Sequence, residues 1–259
     1  EGECKKIVQG EIVFMKKNRK HKITASGSSR AIRMAVSRAD VAHVYEDWMS
    51  KNVVIIGGSS GIGLHTAWYL RDLGYKVLIG SRNNVEEITG IDYLKIDVTD
   101  ESSIKQFFNS IPFKSIDSIV YSAGITTLQK NIQNFDKNEY MKVHDVNLLG
   151  AILILKYAYP LLKETKGKAV IVNSIASRAY SKLSGFEYTV TKAGLSGLVK
   201  QLAVEWAKDT VLINSINPSM VETPMLKENI NPDALKLIEN QIPLGRIVKR
   251  IEIAKVIEF

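Results

Sequence analysis

Tyr188 and Lys192 stand one helical turn apart in a stretch, Phe186–Lys208, that reads as a helix, so both side chains share one face. The pair has a chemical use. A free tyrosine ionises near about pH 10 and is a poor proton exchanger at neutrality. A neighbouring ammonium favours the phenolate, lowers that pKa and makes Tyr188 a usable acid or base. The same spacing is common in helices that do no chemistry, where both residues are structural. Position decides between the readings: this pair follows a strand ending in Asn173-Ser174, and both lie downstream of a glycine-rich turn.

That turn is Gly57-Gly58-Ser59-Ser60-Gly61-Ile62-Gly63, set between an apolar strand and a helix. Glycines let the backbone bend sharply and let a pyrophosphate approach the main chain. The amino end of the following helix offers unpaired N–H groups and a partial positive charge to that phosphate. A merely tight loop is the alternative, and the strand-turn-helix context favours the nucleotide. The next strand ends in Gly80-Ser81-Arg82, with no acidic residue to grip a ribose 2′-hydroxyl. Arg82 can pair with a 2′-phosphate instead. NADP(H) is therefore the preferred cofactor, with NAD(H) kept as the second; for Arg82 the alternative is a surface arginine in a loop.

These groups need a scaffold to bring them together. Asn52–Ile56 is a continuous apolar run suited to a strand buried on both faces. Tyr75–Ile79, Tyr93–Ile96, Ile116–Tyr121, Ala169–Val172 and Val211–Ile216 are further strands, separated by helices over Ile62–Leu73, Ser102–Ser110, Asn138–Lys163 and Phe186–Lys208. Strands alternating with helices of this length need crossover connections. The expected fold is α/β, a Rossmann-like doubly wound parallel sheet with helices on both faces.

Residues 1–48 stand apart from this alternation. They hold ten Lys/Arg and six Asp/Glu, half of the net +8. The basic run Lys16-Lys17-Asn18-Arg19-Lys20-His21-Lys22 reads as a polyanion contact, or as a solvated surface or a basic turn between strands. No aromatic residues interleave it, and no nucleic-acid partner is expected. Ile12-Val13-Phe14-Met15 reads as a short strand, and Ser29–Trp48 has helix-compatible spacing at Ile32, Ala35, Val36 and Ala39. Because the chain begins with Glu and Met49 directly precedes the first sheet strand, residues 1–48 are expected to be an appendage, such as the tail of an upstream domain, and 49–259 the functional domain. Ile251–Phe259 reads as a helix that stops without a cap signal, so the domain is expected to lack its last strand.

Composition excludes several classes. No run of about 18 or more apolar residues exists, so no membrane span is expected. Cys4 is the only cysteine, which excludes an internal disulfide and fits a reducing, cytoplasmic setting. His21, His43, His65 and His144 lack ligand spacing, so no metal site is expected.

Over roughly residues 50–259 the motifs, in order, resemble those of the short-chain dehydrogenase/reductase family. Gly57–Gly63 is similar to its cofactor turn TGxxxGxG, and Asp97-Val98-Thr99-Asp100 to its adenine-side DVT segment. Ser122-Ala123-Gly124 matches most of NNAG, and Asn147 the helix asparagine. Gly167-Lys168 through Asn173-Ser174 is similar to the strand before the catalytic serine, and Tyr188–Lys192 to YxxxK. Asn217-Pro218-Ser219 with Thr223 resembles the PG…T loop around the nicotinamide. Pro243-Leu244-Gly245-Arg246 resembles a PLGR segment.

The resemblance implies a cofactor site of Gly57, Ser59, Ser60, Gly61, Ile62, Gly63, Arg82, Asp97, Val98, Ala123, Gly124, Pro218, Val221 and Thr223, with Tyr188 and Lys192. It implies a catalytic set of Asn147, Ser174, Tyr188 and Lys192. Hydride passes between nicotinamide and a carbonyl carbon, Tyr188 gives the proton, and Ser174 hydrogen-bonds the developing oxyanion. Lys192 lowers the Tyr188 pKa and contacts the nicotinamide ribose, while Asn147 holds a water that feeds protons to Lys192. Ser177 is the alternative to Ser174. Ile56 replaces the usual threonine of the turn, Tyr121 and Ser122 replace both asparagines of NNAG, and Ser219 replaces a glycine.

The activity this implies is reduction of a ketone or aldehyde, or oxidation of a secondary alcohol, similar to the 3-oxoacyl-acyl-carrier-protein reductase branch. The expected partners are a small-molecule carbonyl or alcohol and, for the complete protein, a second or further copies as a homodimer or homotetramer. Two other readings stand beside it. One is a non-catalytic NADP(H)-binding regulator; the other is a sugar- or polyol-phosphate reductase module of a fused polysaccharide-precursor enzyme.

Overall fold

The computed structural model describes residues 21–24, 31–34, 51–83, 87–127, 131–181, 184–229, 235–236, 239–240 and 242–259. The chain divides between Ser50 and Lys51 into two units. In the first, β1 (His21–Thr24) pairs antiparallel with β2 (Ala31–Met34), Ile23 opposite Ile32. This corrects the helix expected from Ser29 onward: four residues are too few to separate a helical from an alternating period, and strand pairing decides. Ile12–Met15 and the rest of Ser29–Trp48 lie outside the described residues, as does most of the basic run.

The second unit begins with β3 (Asn52–Ile56), α1 (Gly61–Asp72), β4 (Lys76–Ser81), β5 (Ile91–Lys95), α2 (Glu101–Ser110) and β6 (Ser118–Tyr121). It continues with α3 (Lys137–His144), α4 (Gly150–Thr165), β7 (Lys168–Val172), α5 (Phe186–Trp206), β8 (Leu212–Ile216), α6 (Pro224–Asn229) and α7 (Arg250–Glu258). The six strands form one parallel sheet in the order β5-β4-β3-β6-β7-β8. This sheet starts at β3, winds outward through β4 and β5, then returns to β6 on the other side of β3. The carboxyl ends of β3 and β6 therefore flank a crevice, where doubly wound sheets bind ligands.

Side-chain alternation explains why helices cover both faces. Val54, Ile56, Leu78 and Tyr121 join one buried cluster with Ile104 and Phe107 of α2, Ile154 and Leu155 of α4 and Leu195 of α5. Val53, Ile55, Val77, Ile79 and Val120 join the opposite cluster with Ala67 and Leu70 of α1 and Ile253 and Ile257 of α7. Each strand residue points opposite to its neighbour, so an unbroken apolar strand needs cover on both sides. Full burial of one such side chain stabilises by roughly 1.5–3 kcal/mol.

Two helical segments bear on how the site is held. The helix expected over Asn138–Lys163 runs from Lys137 to Thr165 and is interrupted by a π-helical turn, Asp145–Leu149, which carries Asn147. Among the described residues this run alone has the length and composition to cross a membrane. In the fold it is a core helix: Ile154, Leu155, Ala158 and Leu162 are fully buried on the sheet. The other is α7, which has a firm start. Glu252 accepts a hydrogen bond from Lys249 N at 2.9 Å and a bidentate pair from Arg246, both at 2.8 Å. The Arg246 hydrogen bonds and that backbone amide hold the Glu252 carboxyl down at about 2. Val248, beside this clasp, pairs with Val221, tying α7 to the segment after β8.

Candidate functional site

Three glycines build the turn between β3 and α1. Gly57 has φ +83°, and a Cβ there would lie 2.5 Å from Ala123 N, so the turn presses directly on the end of β6. Gly61 has φ +55°, and a Cβ there would lie 3.6 Å from the Thr223 methyl, an ordinary contact distance. A Cβ on Gly63 would lie 2.3 Å from the Gly57 carbonyl oxygen. An L-side chain is thus excluded at 57 and 63 by backbone. Ser60 is the N-cap of α1 but makes no side-chain capping bond, and the first turn holds no acidic residue. The leading amides of α1 are left for an anion, with Ser59, Ser60, Gly61 and Ile62 at least partly open to solvent around them. This cradle fits the pyrophosphate of a dinucleotide.

The flanking strand ends supply the rest of that groove. Gly57 N donates to Gly80 O at 2.8 Å, which brings the end of β4, with exposed Arg82, beside the turn. Asp97, after β5, accepts from Thr99 N at 2.9 Å and Thr99 Oγ1 at 2.7 Å. Burial pushes its carboxyl up, but those two bonds and the Arg82 charge outweigh it and hold the pKa low. Val98 is buried beneath. On the far side Pro218 O accepts from Ile175 N at 3.0 Å, and Val221 is buried. Thr223 Oγ1 accepts from Leu226 N at 3.3 Å, which starts α6. The segment 217–223 so spans from the serine turn to Gly61.

The catalytic candidates meet where β6, β7 and α5 converge. Ser174 N-caps a short 3-10 turn, Ile175–Ser177, accepting from Ala176 N at 3.1 Å. Its hydroxyl is hydrogen-bonded to Tyr188. Ser177, the alternative, points elsewhere and donates to Asn217 Oδ1 at 2.9 Å. Lys192 is 3% exposed; its Nζ donates to Val172 O at 2.9 Å and lies 5.5 Å from the centroid of the Tyr188 ring. Burial lowers the Lys192 pKa to about 8.

The electrostatic balance at Tyr188 differs from the expected one. Burial pushes the phenol up, and the Ser174 hydrogen bond pulls against it without reversing the sign. Ser174, rather than Lys192, is the group that offsets burial. Lys192 is itself a desolvated cation held by one neutral carbonyl, which is why its own proton is loosened.

Asn147 is fully buried. Its Oδ1 accepts from Ile125 N at 2.8 Å, and its Nδ2 donates to Ile125 O at 2.9 Å and Thr191 Oγ1 at 3.2 Å. Both amide protons are in use, so any water held by this side chain has only the second Oδ1 lone pair. A Cβ on Gly124 would lie 3.5 Å from Asn147 Oδ1 and 3.7 Å from Lys192 Nζ. Gly124 therefore sits against both.

Thr191, Glu187, Thr127 and Tyr121 have places in this arrangement and were not among the expected site. Thr191 links Asn147 to α5, since its Oγ1 also donates to Glu187 O at 2.9 Å. Glu187, fully buried, accepts from Thr127 Oγ1 at 3.1 Å through Oε2, while its Oε1 has no partner among the described residues. Tyr121, buried at the end of β6, donates from its hydroxyl to Val146 O. Of these only Tyr121 left a sequence signal, its departure from the asparagine of NNAG.

Comparison with known proteins gives the family and the fold. A family model described as enoyl-(acyl carrier protein) reductase matches residues 56–259. The 3-oxoacyl-acyl-carrier-protein reductase of Thermotoga maritima is 32% identical over 222 residues, covering 81% of this chain and 89% of its own. The aldohexose dehydrogenase of Thermoplasma acidophilum superposes with a TM-score of 0.76 at 26% identity, over 83% of this chain and 88% of that one. ElxO with NADP bound superposes with a TM-score of 0.74 at 28% identity, over 82% and 91%.

Proposed function

The chain belongs to the short-chain dehydrogenase/reductase family of oxidoreductases, and on that premise we propose that it is an NADP(H)-dependent carbonyl reductase with Tyr188 as its acid. The single observation that supports this most is the convergence of Ser174, Tyr188, Lys192 and Asn147 beside the glycine turn.

A bound nicotinamide supplies the hydride to the carbonyl carbon. The protein's own residues do the rest. The glycine turn and the α1 amides would hold its pyrophosphate, Arg82 would meet a 2′-phosphate, and the 217–223 segment would contact the nicotinamide half. Tyr188 transfers its hydroxyl proton to the carbonyl oxygen, and burial keeps that proton in place until the oxyanion develops. Ser174, beside Tyr188, turns its one hydroxyl proton from the phenol to the same oxygen as the oxyanion develops. Lys192, loosened to about 8, supplies the replacement proton near neutrality. Asn147 fixes the floor of the site by gripping Ile125 through both backbone atoms.

The substrate is proposed to be a small ketone or aldehyde. NADPH oxidation across ketones, acyl thioesters and sugar phosphates tests this. Turnover of one class identifies the substrate, and binding of NADPH without turnover of any favours the regulator.

A further inference from the structure

We propose that Tyr121 is a positioning residue for Asn147: its hydroxyl braces the π-helical turn from which the Asn147 carboxamide grips the active-site loop. The inference rests on the reductase reading only for its kinetic consequence. Tyr121 is fully buried, and burial pushes its phenol up, so it is a neutral, permanent donor. A buried hydroxyl needs a partner, and this one takes the Val146 carbonyl, next to Asn147.

That carbonyl is accessible because of the turn. In an α-helix the Gly150 amide would bond to Val146 O, but here it bonds to Asp145 O, one residue earlier. The close approach also needs Gly150. A Cβ there would lie 2.8 Å from the Tyr121 hydroxyl and 3.0 Å from both Asp145 O and Val98 O.

The consequence is a closed ring. Tyr121 fastens one end of the segment 121–125 to Val146, and Asn147 fastens the other end through Ile125. Between these ties lie Ala123, against Gly57, and Gly124, against Lys192 and Asn147. Loss of the Tyr121 hydroxyl frees one side of the ring and leaves the Val146 carbonyl unpaired. Asn147, one residue away, then loses its fixed position.

The test is Y121F, which removes one oxygen atom. Exchange of the Ile125 amide, held by Asn147 Oδ1, is the direct reporter and should accelerate roughly tenfold. In the full chain kcat should fall roughly tenfold with the NADPH Kd changed less than about twofold, and in an N147A background Y121F should change kcat less than about twofold. Unchanged Ile125 exchange, or an equal kcat loss in both backgrounds, overturns the proposal. Should Y121F fail to fold, G150A sets a methyl against the same hydroxyl and should accelerate the same amide; an unaltered Ile125 amide there counts equally against it. If the wild type reduces no carbonyl, the reductase reading fails while Ile125 exchange still decides this one.

Discussion

Lys192 reaches from α5 to β7 and donates from Nζ to the Val172 carbonyl oxygen at 2.9 Å. The bond places an ammonium inside the protein with a neutral partner, 5.5 Å from the ring of Tyr188. Such a cation is destabilised by desolvation but not released to solvent. Its proton is held more loosely than that of a solvent-exposed lysine.

The same placement gives stability a pH dependence. The Lys192 pKa falls from 10.5 to about 8 on folding. Below about 8 both states hold the proton, and above 10.5 neither does. Between these limits the unfolded chain binds more protons, so this residue makes stability rise with pH. The rise is on the order of 3 kcal/mol. Urea unfolding of wild type and K192M at about pH 7 and about pH 10 should show it as a growing difference in favour of wild type; a difference independent of pH contradicts it.

Ser174 and Ser177 separate by partner. S174A removes the hydroxyl bonded to Tyr188 and should lower kcat about a hundredfold or more. S177A removes only the bond to Asn217 and should leave kcat within about threefold. Steady-state kinetics of the two variants should show this order, and equal losses would return the role of Ser174 to an open choice.

How much of this was readable beforehand depended on the range of the interaction. The alternation of apolar strands and helices, the glycine turn and the Tyr188–Lys192 spacing are local, and each lies within a few residues of sequence. Tyr121–Val146 and Glu187–Thr127 join residues 25 and 60 positions apart, and although Tyr121 stands out from the NNAG pattern, neither local stretch names the partner. The π-turn was hidden for a related reason: the apolar pattern of 137–165 is that of one helix, and the extra residue per turn shows only once Asn147 has a partner. Ile32 illustrates the opposite failure, since a periodicity over a few residues fits either a helix or the strand that forms.

In the proposed function Arg82 is the residue that selects the cofactor. It is exposed at the end of β4, and its charge already acts on Asp97. A charge-assisted contact with a 2′-phosphate contributes roughly 1.5–3 kcal/mol. R82A should therefore weaken NADPH binding roughly ten- to a hundredfold and NADH binding less than about twofold. Fluorescence titration with both cofactors measures this, and parallel losses would assign Arg82 to the fold rather than to the phosphate.

Gly63 tests the cradle. An added methyl would stand 2.3 Å from Gly57 O and 3.0 Å from Gly58 Cα, both backbone atoms that cannot rotate away. G63A should cost roughly 1–3 kcal/mol of stability and weaken NADPH more than about tenfold, read by melting with and without the cofactor. A variant with wild-type cofactor affinity would show that the turn is only a turn.

The most direct test of Tyr188 as the acid is Y188F, which keeps the ring and removes the proton. NADPH oxidation with the best carbonyl substrate should fall by about a thousandfold or more while the NADPH Kd stays within about threefold of wild type. Turnover within about tenfold of wild type would contradict the assignment and move the proton source away from Tyr188.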